Sequence, residues 1–202
     1  MVDWVFQSKD TNQVQALRKR RKEKMSGKDY TKDELCNLIK TSPEEFNEWK
    51  KTQDSIDLSE LDFSYANISD IDFADIDLNS SSFADSNLTA VNFSNTDLTS
   101  VEFTRATVLE SDFTDAILTG ADYSYATINY CNFTDADMAG GVFQESDLTN
   151  SDFAGSYNLN ACRFDEETIW PEPDMLPEDF DSTYNDDLSS LKDDEEDVVS
   201  EY

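Results

Sequence analysis

The sequence predicts a β-solenoid, a chain that turns a corner every five residues. Three observations point to it. From Leu58 to Phe153 every fifth residue is apolar, twenty consecutive positions without a slip. These central residues alternate between aliphatic and aromatic, as in Leu98, Phe103, Val108, Phe113, Leu118 and Tyr123. Their surroundings repeat too, with a small residue two before (Ala66, Ser81, Ala116), Asp or Asn just before (Asp62, Asn67, Asp112) and Ser, Thr or Ala just after (Ser64, Thr89, Thr114). Neither a helix of period 3.6 nor a strand of period 2 keeps a period-five stripe on one side.

The units SDFTD, AILTG, ADYSY, CNFTD and SDLTN resemble the A(D/N)LXX repeats of the pentapeptide-repeat family. The resemblance covers 56–155 in one register and resumes as YNLNA and CRFDE, shifted by one residue around Ser156. It implies a right-handed quadrilateral β-helix of about five coils, with one pentapeptide on each side. On four sides, the alternation puts aromatics on two opposite ones. Phe73, Phe93, Phe113, Phe133 and Phe153 form one ladder, and Phe63, Phe83, Phe103, Tyr123 and Phe143 the other. Rings one coil apart are expected to stack with an offset. Cys131 and Cys162 fall at the small inward position, as core thiols.

A solenoid exposes unpaired backbone at its ends, which need covers. The early inward positions Ile56, Leu61, Ile71 and Ile76 are larger than the later ones, so something is expected to pack near the first coil. Residues 1–55 carry no repeat and form a helical N-terminal segment and cap. Thr31 with Glu34 makes a capping box before LCNLIK, and Ser42, Pro43 and Glu45 make a second before FNEWK. A further helix is expected over 12–24. Its RKRRKEK cluster at 18–24 reads either as a nucleic-acid or localisation element, or as a solvated helix face or clamp onto an acidic body. The repeat domain is 56–166. In 167–202, Pro171, Pro173 and Pro177 interrupt an acidic tail expected to be largely disordered. Trp170, Met175, Leu176 and Phe180 near its start are expected to fold back over the last coil.

Composition removes whole classes of function. With no histidine there is no His-based acid–base chemistry, no usual triad and little for a transition metal. Three cysteines at 36, 131 and 162 show neither metal-ligand spacing nor an even disulfide set, which points to a reducing, cytoplasmic setting. No apolar run reads as a signal peptide or a membrane span. Asp pairs such as Asp70/Asp72 and Asp75/Asp77 arise from the repeat rather than from a calcium motif. A regular solenoid without loop insertions offers no pocket for converging groups. The expectation is a protein that is not an enzyme and holds neither cofactor nor metal.

Charge carries the functional signal. The formal net charge is −30. Residues 1–55 sum to +2, residues 56–166 to −19 with Arg105 and Arg163 as their only cations, and the tail to −13. A rod of about five and a half coils at ~4.8 Å each is about 26 Å long. Duplex DNA carries about 15 charges over that length. The Phe73 side bears Asp72, Asp75, Asp112, Asp115, Asp135 and Asp152 without a basic residue of its own, and is the candidate contact surface. The resemblance supports this reading, because acidic pentapeptide proteins of quinolone resistance are DNA mimics that bind topoisomerases. Those look like longer rods dimerised at a C-terminal end, so a nuclease, restriction factor or repressor fits this chain equally well. The expected partner is a basic DNA-binding protein, with no direct nucleic-acid contact, no membrane, and a homodimer through one solenoid end as an option. A structural scaffold or adaptor stays open beside it, since Asp and Asn before the centre belong to the family pattern and charge also keeps a repetitive protein soluble.

Overall fold

The structure, a computed structural model, describes residues 29–183. The helix expected over 12–24, its basic cluster and the acidic end of the chain from 184 lie outside the described residues. Helix α1 (Lys32–Thr41) starts at the expected capping box: the Glu34 amide donates to Thr31 Oγ1 at 3.3 Å, and the Thr31 amide donates to Glu34 Oε2 at 3.0 Å. Helix α2 (Pro43–Lys50) starts with proline at its first turn, but the Ser42–Glu45 box does not form, since Ser42 makes no side-chain capping bond. The reason is the tight junction. Ser42 also ends α1, and its amide donates to the Leu38 carbonyl at 2.7 Å.

The repeat folds as the right-handed quadrilateral β-helix expected of it. Strands β1 (Asn67–Ser69), β2 (Asn87–Thr89), β3 (Thr107–Leu109) and β4 (Thr127–Asn129) pair in parallel, in the order β1-β2-β3-β4. Partners are one coil apart, as in Ile68↔Leu88↔Val108↔Ile128. The other three sides pair through single bridges in the same register. Each coil both donates to and accepts from the next: the Phe83 amide donates to the Glu102 carbonyl at 2.7 Å, and the Glu102 amide to the Ser81 carbonyl at 3.1 Å.

The repeat positions now have physical roles. Central residues are buried completely or nearly so. The Asp or Asn before the centre accepts the amide two residues on, as Asp112 does from Thr114 at 3.0 Å and Asn132 from Thr134 at 3.0 Å. This side-chain turn fixes each flat side. The residue two after the centre turns the corner with a left-handed backbone, φ 59° at Asp75 and 58° at Asp115. Small inward hydroxyls bond either the coil before them, as Ser81 Oγ does to the Leu58 carbonyl at 3.0 Å, or the carbonyl three residues back, as Ser86 Oγ does to that of Phe83 at 2.6 Å.

Both aromatic ladders stack, with Phe113–Phe133 centroids 4.6 Å apart at 6° and Tyr123–Phe143 5.0 Å apart at 6°. The ladders also meet edge to face across the axis, as Phe103 and Phe113 do at 6.0 Å and 86°. The core is therefore only two side chains wide, and every ring touches its own stack and the opposite one. Cys131 and Cys162 are buried in it as expected. Their thiols donate to the Val108 and Met138 carbonyls, and burial pushes both up to about 12.

The first coil is covered by the two helices, with Phe46 against Phe73 at 5.9 Å and the partly buried Ile56 and Leu61 packed on the core. At the other end Tyr157 still pairs in register with Asp137, and the extra residue of the shift is Asn158, at φ 62° before a 3-10 turn, Leu159–Ala161. The partners Val142↔Arg163 and Asp147↔Ile169, then the Phe153 amide bonded to the Met175 carbonyl at 2.7 Å, complete a sixth, irregular layer. The ladder thus runs past residue 166. Trp170 rests on Phe143 and Phe153 at 5.5 and 6.0 Å, Phe180 on Trp170 at 4.8 Å, and Leu176 is buried, so the start of the tail does fold back over the last coil.

Candidate protein-interaction surface

Regular coiling spreads the carboxylates over all four sides. On the Phe73 side, Asp72, Asp112 and Asp152 hold the position before the centre, and Asp75, Asp115 and Asp135 hold left-handed corners. All six therefore lie on one side, as the register requires. Along the axis, however, Asp alternates with Asn in the ladder Asp72↔Asn92↔Asp112↔Asn132↔Asp152. Carboxylates in that row are two coils apart, roughly 10 Å, which relieves repulsion between neighbours.

The Phe73 side has no basic residue of its own, but a cation reaches it from outside the repeat, because the last turn of α2 brings Lys50 Nζ to 2.8 Å from Asp72 Oδ1. Asp72 is half-buried beneath that lysine, whereas Asp75, Asp115, Asp135 and Asp152 are exposed. The docking of a basic helix end on an acidic coil could not be read from the repeat alone.

The densest carboxylate row lies elsewhere. On the Leu58 side Asp57, Asp77 and Asp97 are consecutive bridge partners, followed by Ile117, Asp137 and Tyr157. Counting acids per side hid this row. Residues twenty apart in sequence were the signal that would have found it. Lys32 Nζ, 2.8 Å from Asp57 Oδ1, neutralises its first member. That contact, with the hydroxyl and amide of Ser59, depresses Asp57 to about 2. The hydroxyl and amide of Ser64 likewise lower Asp62, helped by the charge of Lys40.

The Phe63 side carries the only cation of the regular coils. Arg105 forks onto Asp85, one coil away, with Nε–Oδ1 and Nη2–Oδ2 both 2.7 Å. The guanidinium holds Asp85 below the usual carboxylate range, and the Tyr65 hydroxyl adds to this. Among the described residues no group of three or more acids or cysteines is arranged to hold a metal ion. No helix among them is long and apolar enough to cross a membrane.

A four-sided solenoid with an aromatic core and outward Asp and Asn defines a class of protein, and sequence comparison agrees with it. The family model described as a pentapeptide repeat region matches residues 56–130, and the model of pentapeptide repeats matches 116–155 and 129–166. Together they span more than half of the sequence, and the chain belongs to the pentapeptide-repeat family. No curated protein matches it. Among solved structures it is similar to a pentapeptide repeat protein of the Arabidopsis thaliana thylakoid lumen, at 26% identity over 67% of this chain and 73% of that one, with a TM-score of 0.31. It is also similar to a pentapeptide repeat protein of Nostoc PCC 7120, at 24% identity over 50% of this chain and 77% of that one, TM-score 0.37. A third is QnrB1, a plasmid-mediated fluoroquinolone resistance protein, at 17% identity over 55% of this chain and 81% of that one, TM-score 0.22.

Proposed function

We propose that this protein is a non-catalytic acidic DNA mimic, which occupies the cationic groove of a basic DNA-binding protein and excludes the duplex. One observation carries the reading: a rigid slim rod presents carboxylates on all sides at a linear density like that of DNA. Residues 56–166 hold a net charge of −19, against about 15 for duplex over a comparable ~26 Å. Attraction over such a surface steers a cationic partner from a distance. Three free thiols are compatible with a cytoplasmic setting. If two copies pair through an end, the half-buried Phe164, Trp170 and Phe180 at the C-terminal lid are the surface for it.

The test is capture of partners from the native host at low salt, eluted in parallel by a salt gradient and by duplex DNA. The mimic loses its partner to either eluent. A scaffold that binds through apolar contacts holds its partner through both, and that outcome refutes the reading. The contact side is tested with the partner so captured. Changing Asp112, Asp115, Asp135 and Asp152 to Asn keeps the fold, because Asn92 and Asn132 already make the same side-chain turn as Asp112 and Asp152, and Asn95 already holds a left-handed corner like those of Asp115 and Asp135. The variant is expected to lose inhibition of DNA access. If it inhibits normally, another side makes the contact.

A further inference from the structure

Three corners of the solenoid are occupied by a residue poorly suited to them. Tyr65, Tyr125 and Tyr130 sit at φ 59°, 62° and 58°, a left-handed backbone that disfavours large side chains. Most other corners hold Asp, Asn, Ser or Gly, as at Asp75, Asn95, Ser100 and Gly120, and the rest hold Glu, Ala or Arg, so the tyrosines are the only aromatics among them. Packing does not compensate, since the three rings are 76%, 55% and 64% exposed. A bulky aromatic kept in such a conformation and left in solvent is better explained by what it contacts than by the fold.

Each ring has a carboxylate one coil away in the same corner row: Tyr65 beside Asp85, Tyr125 beside Glu145, Tyr130 beside Glu110. The row spacing is ~4.8 Å. An exposed aromatic face next to a carboxylate suits a guanidinium, which stacks on the ring while forking onto the oxygens. A lysine ammonium offers neither the plane nor the fork. At one of these pairs, Tyr65 with Asp85, the carboxylate is already taken, because Arg105, the next residue of the row, binds Asp85 through two bonds of 2.7 Å. The other two are open. Tyr125 and Tyr130 are the corners flanking β4, on the side whose outward row begins with the uncharged Asn67, Asn87, Thr107 and Thr127.

We infer that these tyrosine–carboxylate pairs are arginine-selective contact sites, and that the partner presents arginines, rather than lysines, to the sheet side at β4. This rests on the acidic-mimic reading and adds the chemistry of the partner to it. The test titrates the full chain with nona-arginine and nona-lysine peptides by calorimetry at physiological ionic strength. The arginine peptide is expected to bind about tenfold more tightly. The variant Y65N/Y125N/Y130N leaves the net charge unchanged and gives the corners a residue that accepts φ > 0. It is expected to bind both peptides within about twofold of each other, with nona-lysine affinity as in the parent. The variant Y65F/Y125F/Y130F keeps the rings and should keep the preference. Equal binding of the two peptides by the parent, or a preference surviving in the Asn variant, overturns the inference while leaving charge mimicry standing. If neither peptide binds, the mimic reading itself falls.

Discussion

At the N-terminal end, the open edge of the first coil is met by side chains from a separate pair of helices. Lys32 and Lys40 take the Ser59 and Asp62 carbonyls at 2.9 Å. Asn47 does more, as its Nδ2 donates to the Asp70 carbonyl at 2.8 Å and its Oδ1 accepts the Asp72 amide at 2.9 Å, standing in for a missing strand. At the C-terminal end no separate element arrives among the described residues. The chain covers itself, by taking up the extra residue Asn158, pairing an irregular layer on the fifth coil and closing it with Phe164, Trp170 and Phe180. The contrast teaches that an open β edge and an apolar core end are separate problems. The first end answers them with lysines and an amide over the edge and Phe46 over the core. The last uses more backbone for the edge and three aromatics for the core. A one-dimensional stack frays from whichever end is closed less firmly.

The largest effect is expected at Phe46, which is fully buried between α2 and the first coil. Phe46→Ala should cost about 3–5 kcal/mol by urea denaturation, and Trp170→Ala, at the half-exposed lid, nearer about 2–3 kcal/mol. If the lid change costs more, the C-terminal end is the firmer closure and the comparison reverses. Thiol labelling read by mass spectrometry sharpens this. Cys36 lies on α1, its partly buried thiol turned to the Asp62 carbonyl of the first coil, and Cys162 is buried at the lid end, so Phe46→Ala should speed labelling at Cys36 and Trp170→Ala at Cys162. Unselective acceleration at both would mean that the solenoid opens as one unit.

Asn47→Ala comes next. It leaves the Asp70 carbonyl and Asp72 amide without their partner, at about 1–2 kcal/mol by the same denaturation. A negligible change would show that solvent serves the edge as well as the side chain does.

Smallest is the Lys32–Asp57 pair. Asp57 is depressed from 3.8 to about 2 in the folded protein. Its contribution is therefore complete above pH 4 and lost as pH falls from about 4 through 2. Both side chains are largely exposed, so screening keeps it below about 1 kcal/mol. Lys32→Ala should shrink that part of the acid dependence, leaving what the Ser59 hydroxyl and amide supply, with little change in stability at neutral pH. An unaltered acid limb in the variant would assign the dependence to other carboxylates.

Much of this was legible in advance, for a common reason. Once a coil has a fixed number of residues, neighbours along the axis are neighbours in arithmetic, so the ladders through Phe113 and Phe103 and the inward Cys131 follow from position alone. The Arg105–Asp85 fork and the row Asp57, Asp77, Asp97 were equally available by that arithmetic, and were missed by weighing each side's total charge. The helices were legible as helices, since Thr31 and Pro43 are local signals. How they lie on the first coil was not, because Lys50 reaches Asp72 and Asn47 reaches the Asp70 carbonyl only after apolar faces have matched in three dimensions. The failed Ser42 box has the same origin, a junction shared by two helices.

By itself the sequence determined the coil, its core and the sign of its surface, because a five-residue period with apolar centres admits one way of burying them. Tertiary structure alone decided which carboxylates stay free, how each end is closed and which tyrosines face solvent at the corners. Those outcomes depend on contacts between segments whose separation no repeat fixes.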